Sequence, residues 1–276
     1  MKRNIIIGIK NTTAINMRKY IAVRTQRIIL ETSKDITVGI DVGHGPLTRG
    51  KRTPRWENGK FMHEYEFNLA VAKKLERKLI KRGFKVVRTY KEGIDLPLKS
   101  RVKIANDAKV DIFISIHANA YGMGGWNTVT GIETYYSTGS RIGPRLAKTV
   151  HKELIDATGM VDRKVKNARF YVIKNTDAPA ILTESGFMTN KEDAKKLLDD
   201  GYREKIALAH AVGICKYFGI DYMPLFENDE EDIKDKKIKK YEETIKKQDK
   251  KINDSLAIAN EISILLSDLY GILKKE

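Results

Sequence analysis

Residues 36–45 read Ile36-Thr37-Val38-Gly39-Ile40-Asp41-Val42-Gly43-His44-Gly45. Ile36–Asp41 is short, apolar and β-branched, which predicts a buried strand, and the glycines behind it predict a turn at its carboxyl end. Glu64–Lys81 follows with helical spacing. Phe67, Ala70, Val71, Lys74, Leu75, Lys78 and Leu79 step along one face, and Gly83 marks the stop.

The alternation continues. Phe84–Arg88, Asp111–His117, Ile132–Tyr136 and Ala180–Glu184 read as strands; Leu98–Ala108, Arg141–Ala157, Lys191–Leu198 and Arg203–Phe218 read as helices. Strands separated by helices predict an α/β fold with a mostly parallel twisted sheet and helices on both faces. Ligands of such sheets gather outside the carboxyl ends of the strands. His44, His117 and Glu184 all fall at or just past predicted strand ends, so the topology brings them to one edge.

Residues 1–35 form a basic N-terminal extension without clear periodicity, and 36–220 form the α/β body. Asp221–Asn228, with Pro224, reads as a hinge. Beyond it, 229–276 is free of proline. Ile238, Ile245, Ile252, Ala259, Leu266 and Leu273 recur every seven residues, interleaved by Tyr241, Gln248, Ser255, Ile262 and Leu269. That a/d pattern predicts a long C-terminal helix and a self-associating coiled coil, hence a homo-oligomer. The competing readings are a helix folded back onto the body, or two helices broken near Asn253-Asp254.

The 276 residues carry a net charge of +16. From Glu227 onward there are 11 Lys/Arg against 13 Asp/Glu, leaving 41 against 23, or +18, on everything before it. A basic body predicts an anionic partner, nucleic acid or an anionic wall polymer. The stacked aromatic and basic pattern of a single-strand binder is missing, so no dedicated nucleic-acid site is expected. The apolar stretch Ile5–Ile9 is too short for an export signal, and no small-residue cleavage site follows. The expectation is a chain made in the cytoplasm that acts outside it only after release. Cys215 is the single cysteine, which excludes an intrachain disulfide and a cysteine-rich metal site. Its apolar helical surroundings predict a buried structural thiol.

Two histidines and a carboxylate with one open position can hold a hydrolytic zinc (Zn²⁺). His44 and His117 supply the imidazoles. Glu64 and Glu66 both compete for the carboxylate, and spacing alone leaves that choice open because residues two apart on a helix point in different directions. Glu184 ends an apolar strand, where an ionisable group is costly unless paired or poised near a metal. Either histidine alone would most simply satisfy a core hydrogen bond; their shared edge argues for chemistry. His63 reads as solvent-facing, and His151 and His210 as packing or surface residues. Arg101 and Asn119 shape the site or tie loops together. Glu133 supports the site from behind or makes a plain salt bridge. Trp126 rims a groove beside the site or anchors its glycine-rich loop.

The segments Ile40–Gly45, Glu64–Leu69, Leu98–Arg101 with Ala105-Asn106, Ser115–Asn119, Gly131–Tyr136 and Leu182–Phe187 with Asn190 together resemble the zinc-dependent N-acetylmuramoyl-L-alanine amidases, a family of phage endolysins and bacterial autolysins. The resemblance covers Ile36 to about Phe218. It implies His44, Glu64 and His117 as zinc ligands and Glu184 as the catalytic carboxylate, and it favours Glu64 because the family's ligand lies four residues before the asparagine that is Asn68 here. Val42 and Pro46 depart from the family's proline and further glycine around Gly-His-Gly, which alters the loop but removes no ligand.

The implied reaction is hydrolysis of the amide between N-acetylmuramic acid and L-alanine of bacterial peptidoglycan by a zinc-bound water. The implied setting is a phage endolysin or a host lysis enzyme. Two other readings compete. A non-catalytic wall- or polyanion-binding scaffold would need a broken ligand set. A zinc peptidase acting on small peptides shares the chemistry but fits the ordered motifs less well.

Overall fold

A computed structural model describes residues 32–222. The extension before Thr32, and the heptad segment expected at 229–276, lie outside the described residues. Six strands form one sheet: β1 (Thr37–Val42), β2 (Lys85–Arg88), β3 (Ile112–Asn119), β4 (Ile132–Ser137), β5 (Asp162–Ala168) and β6 (Ala180–Phe187), in the order β2-β1-β3-β6-β4-β5. All neighbours are parallel except β4 and β6. Among the described residues, helices with both ends defined are α1 (Glu64–Ile80), α2 (Leu98–Asp107), α3 (Gly143–Thr158), α4 (Tyr171–Asn175), α5 (Lys191–Leu198) and α6 (Asp200–Tyr217).

Alternation along the strands splits the core into two layers. Ile112, Ile114 and Ile116 of β3 join one cluster with Phe67, Val71 and Leu75 of α1, Leu146 and Val150 of α3, and Ile206 and Ile214 of α6. Phe113, one residue out of phase, packs on the other face with Val102 and Ala105 of α2 and Val172 and Ile173 of α4. Side chains on a strand point alternately to opposite faces, so a strand sandwiched between helices is apolar at every position. β3 is buried from Ile112 to Ile116. The expected three layers are present.

Local signals set the boundaries. Asn190 accepts hydrogen bonds from the Glu192 and Asp193 N–H groups at 2.9 and 3.1 Å and starts α5. Asp199 accepts from Tyr202 N–H at 2.7 Å and starts α6 three residues earlier than its apolar pattern suggests. Gly213 lets α6 approach α3, since a Cβ there would lie 2.7 Å from the Val150 Cα. β5 and α4 are two elements the sequence reading lacks. β5 is an edge strand of mostly polar residues, and α4 is only five residues long. None of the helices among the described residues is long and apolar enough to cross a membrane.

Candidate active site and metal centre

β1, β3 and β6 lie side by side, and their carboxyl ends carry the expected chemistry. Chain reversal after β1 puts His44 in the left-handed region at φ 61°, an uncommon conformation for a residue with a Cβ. Arg101 stabilises that turn. Its guanidinium donates to the carbonyls of His44 (3.0 Å) and Val42, and to Leu96 O at 2.9 Å. It is buried and pairs with buried Asp41 at 3.2 Å. Arg101 therefore ties the β1–α1 loop in place, and its side chain is spent on that task.

His63 caps α1, and Glu64 is the helix's first residue. Glu64 is buried; His44 Nε2 lies 3.2 Å from its Oε2, and His117 Nδ1 lies 2.9 Å from its Oε1. Asn68, one turn along α1, donates to Glu64 Oε1 at 3.2 Å and to Gly43 O at 3.0 Å, locking carboxylate and turn together. Ala118 N–H also donates to Glu64 Oε1 at 3.2 Å. Glu66 is exposed and accepts from the His63 N–H at 2.8 Å. That contact turns it away, and Glu64, not Glu66, stands beside His44 and His117.

A relay fixes the ring of His117. Its Nε2 meets Ser115 Oγ at 3.1 Å, and Ser115 Oγ donates to Asp41 Oδ2 at 2.7 Å. With Nε2–H donating to the hydroxyl, Nδ1 is the nitrogen turned to Glu64, and it is the one that would be offered to a metal. The His44 and His117 rings meet edge to face at 5.1 Å between centroids. Gly43 makes room for this, because any Cβ there would collide with the His117 ring.

Ligand atoms from His44, Glu64 and His117 all lie within 4.8 Å of one another, and among the described residues this is the cluster able to hold a metal. Two imidazole nitrogens and one carboxylate oxygen are a donor set suited to zinc. Electrostatics agree. Burial opposes ionisation of Glu64, but hydrogen bonds with His117 and His44 outweigh it and hold the carboxyl well below its usual range. Burial likewise opposes charge on His117, and Glu64 reverses that, raising it.

Glu184 faces this cluster from the next strand. His117 and Glu184 are register partners across β3 and β6. Glu184 Oε2 is sealed from solvent and has no hydrogen-bond partner. Burial, with Glu64 nearby and only partly offset by His117, pushes its carboxyl up to about 8. An orphaned buried carboxylate oxygen beside a His-Glu-His cluster fits a bound cation, which would favour the charged form.

Comparison with known proteins agrees. Residues 38–216 match the family described as N-acetylmuramoyl-L-alanine amidase. This chain belongs to that family. N-acetylmuramoyl-L-alanine amidase LytC of Bacillus subtilis is 38% identical over 184 residues, covering 66% of this chain and 35% of LytC. The endolysin of Bacillus phage SPP1 is 31% identical over 185 residues, 66% of each chain. The catalytic domain of CwlV, an amidase of Bacillus (Paenibacillus) polymyxa var. colistinus, superposes with a TM-score of 0.62 at 35% identity, covering 67% of this chain and 99% of that domain. The chain thus matches only about a third of LytC's length.

The remaining expectations distribute around this amidase-family centre. Glu133 sits across from Glu184 on β4. It accepts from Asn119 Nδ2 at 3.0 Å, Arg163 Nε at 2.7 Å, Lys166 Nζ at 2.6 Å and Tyr135 OH at 2.5 Å. Burial opposes its ionisation, yet Lys166, Tyr135 and Arg163 hold it down to about 2. It is both salt bridge and support, and Asn119 is its partner rather than a free site group. Trp126 packs on Trp56 at 4.6 Å and donates from Nε1 to Arg55 O at 3.3 Å, the loop-anchor geometry. His63 is half-buried at the start of α1, 4.9 Å from the Phe61 ring.

His151 and His210 are buried packing residues. His151 bridges Thr134 Oγ1 and Asp162 Oδ1, each at 2.9 Å. His210 contacts Ile206 O at 2.8 Å and Thr183 Oγ1 at 3.0 Å, and burial pushes it down to about 4. Cys215 is buried, as expected. Sequence reasoning missed the Asp41–Ser115–His117 relay and the Asn68 clamp. The available signal was Asp41 itself, an acid inside an apolar strand.

Proposed function

We propose that this chain hydrolyses the amide joining the lactyl group of N-acetylmuramic acid to L-alanine of the peptidoglycan stem peptide, with one zinc ion held by His44, Glu64 and His117. The observation that carries the reading is Glu184, a carboxylate with a sealed, unpartnered oxygen opposite His117. When bound, zinc supplies a Lewis acid that polarises the scissile carbonyl and lowers the pKa of a coordinated water.

The chain's own residues do the rest. Glu184 accepts the proton of the attacking water and delivers it to the departing alanine nitrogen. A carboxyl whose surroundings raise its basicity suits that exchange near neutral pH. The Ser115–Asp41 pair holds His117 in one tautomer, and Asn68 keeps Glu64 turned inward. Arg101 fixes the turn that presents His44.

Similarity to the amidase LytC and to a phage endolysin supports a wall-lysis enzyme, phage- or host-encoded. The intact ligand set favours catalysis over a binding scaffold. The heptad of 229–276 is proposed to oligomerise the chain and multiply weak wall contacts; a monomer by sedimentation at working concentration would remove that role. The reaction is tested by mass spectrometry of a digested soluble muropeptide. Intact glycan plus free stem peptide is the expected pair, and cleavage within the peptide would replace the reading with a peptidase.

A further inference from the structure

The β1–α1 connection carries more than the catalytic turn. Between residues 49 and 60 it holds Arg49, Lys51, Arg52, Arg55 and Lys60 against a single acid, Glu57. Among the described residues none of the five pairs with a carboxylate, whereas Lys73, Lys78 and Arg88 on the flanking elements each have one. Glu57 leans instead toward Lys191 of α5, at 3.9 Å.

This segment is built, not loose. Thr53 N–H donates to Met62 O and Trp56 N–H to Lys60 O, both at 2.9 Å. Trp56 is pinned by Trp126 at 4.6 Å. The guanidinium groups of Arg52 and Arg55 lie 4.7 and 4.9 Å from the Phe61 ring centre. Each also donates one N–H to a local carbonyl, Thr53 O at 3.0 Å and Gly59 O at 2.6 Å. Two arginines held on one ring have lost much of their rotamer freedom, while the remaining N–H edges stay open. That is a pre-ordered cationic array, and bidentate N–H edges suit phosphate oxygens.

We propose that this array docks a phosphodiester-linked anionic polymer of the cell wall and so holds the enzyme at its substrate. Charge complementarity selects the occupant: five cations against one acid within twelve residues, of which Lys51 also acts on Glu184, match a repeating anion better than the scattered carboxylates of stem peptides. The location of that polymer rests on the wall-amidase reading above.

The test is co-sedimentation of the full chain carrying Glu184→Gln, which slows hydrolysis, with intact Gram-positive walls and with walls stripped of phosphodiester polymer by acid. Arg52→Gln/Arg55→Gln should weaken binding to intact walls about tenfold and flatten its salt dependence. It should leave binding to stripped walls unchanged. Arg49→Gln/Lys60→Gln, on exposed side chains, should act in the same direction and guards against a disturbed loop. Unaltered binding of both pairs to intact walls would overturn the proposal, as would equal binding of the parent to both wall preparations. Sedimentation needs no turnover, so failure of the amidase reaction and failure of the docking surface are separate results.

Discussion

Glu184 and His117 are register partners on adjacent parallel strands, so the proposed proton carrier and a proposed zinc ligand are held by the backbone ladder itself. Neither depends on a loop for its position. The relation predicts that the two can be separated by mutation.

Glu184→Gln keeps the size of the side chain and removes its basicity. The expected outcome is a full zinc complement with turnover reduced about 10²–10⁴-fold, the usual worth of general acid–base catalysis. Metal analysis alongside the rate at which N-terminal alanine amino groups appear checks it. Retained activity would take Glu184 out of the mechanism.

Gly43→Ala places a methyl group against the His117 ring. The fold should survive, because the clash falls on a side chain at the carboxyl end of β3 and not on the core. Zinc affinity should drop at least about tenfold through displacement of a ligand. Competition against a chromophoric chelator reads this, with far-UV circular dichroism as the check on folding.

Arg101→Ala strands Asp41 in the interior and frees the carbonyls of Val42 and His44. Breaking a buried pair from one side costs about 3–5 kcal/mol. A urea titration should show a loss of that order, and a loss under about 1 kcal/mol would mean that water replaces the guanidinium.

His210 gives a pH dependence. Its folded value is depressed to about 4 from the ordinary 6.5 of a histidine, so the unfolded chain takes up the proton first. The stabilisation is present above about 6.5 and is lost as the pH falls toward 4, amounting to about 2 kcal/mol by pH 5. His210→Gln, which does not titrate, should lose correspondingly less between pH 7.5 and 5. Parallel stability curves for the two proteins would contradict the assignment.

Much of this was legible from residues alone. β1, β3 and β6 announce themselves because strands buried on both faces are apolar at nearly every position, and the ligands stand where those runs stop. β5 did not announce itself, since Asp162-Arg163-Lys164-Val165-Lys166-Asn167-Ala168 is an edge strand whose polar residues hide the pattern. Glu64 and Glu66 were indistinguishable by spacing. Only the capping contact at His63 shows which one turns outward. The Asp41–Ser115–His117 relay joins residues 74 and 2 positions apart, a relation that pairing of β1 with β3 creates and no local window contains.

The most direct measurement is the appearance of N-terminal alanine on purified Gram-positive walls treated with the full chain, before and after removal of zinc by a chelator. The account predicts release of alanine amino groups with loss of turbidity, cessation with chelator and recovery on adding Zn²⁺. No new N-terminal alanine on walls of several species, with a protein carrying one zinc per chain, would contradict it.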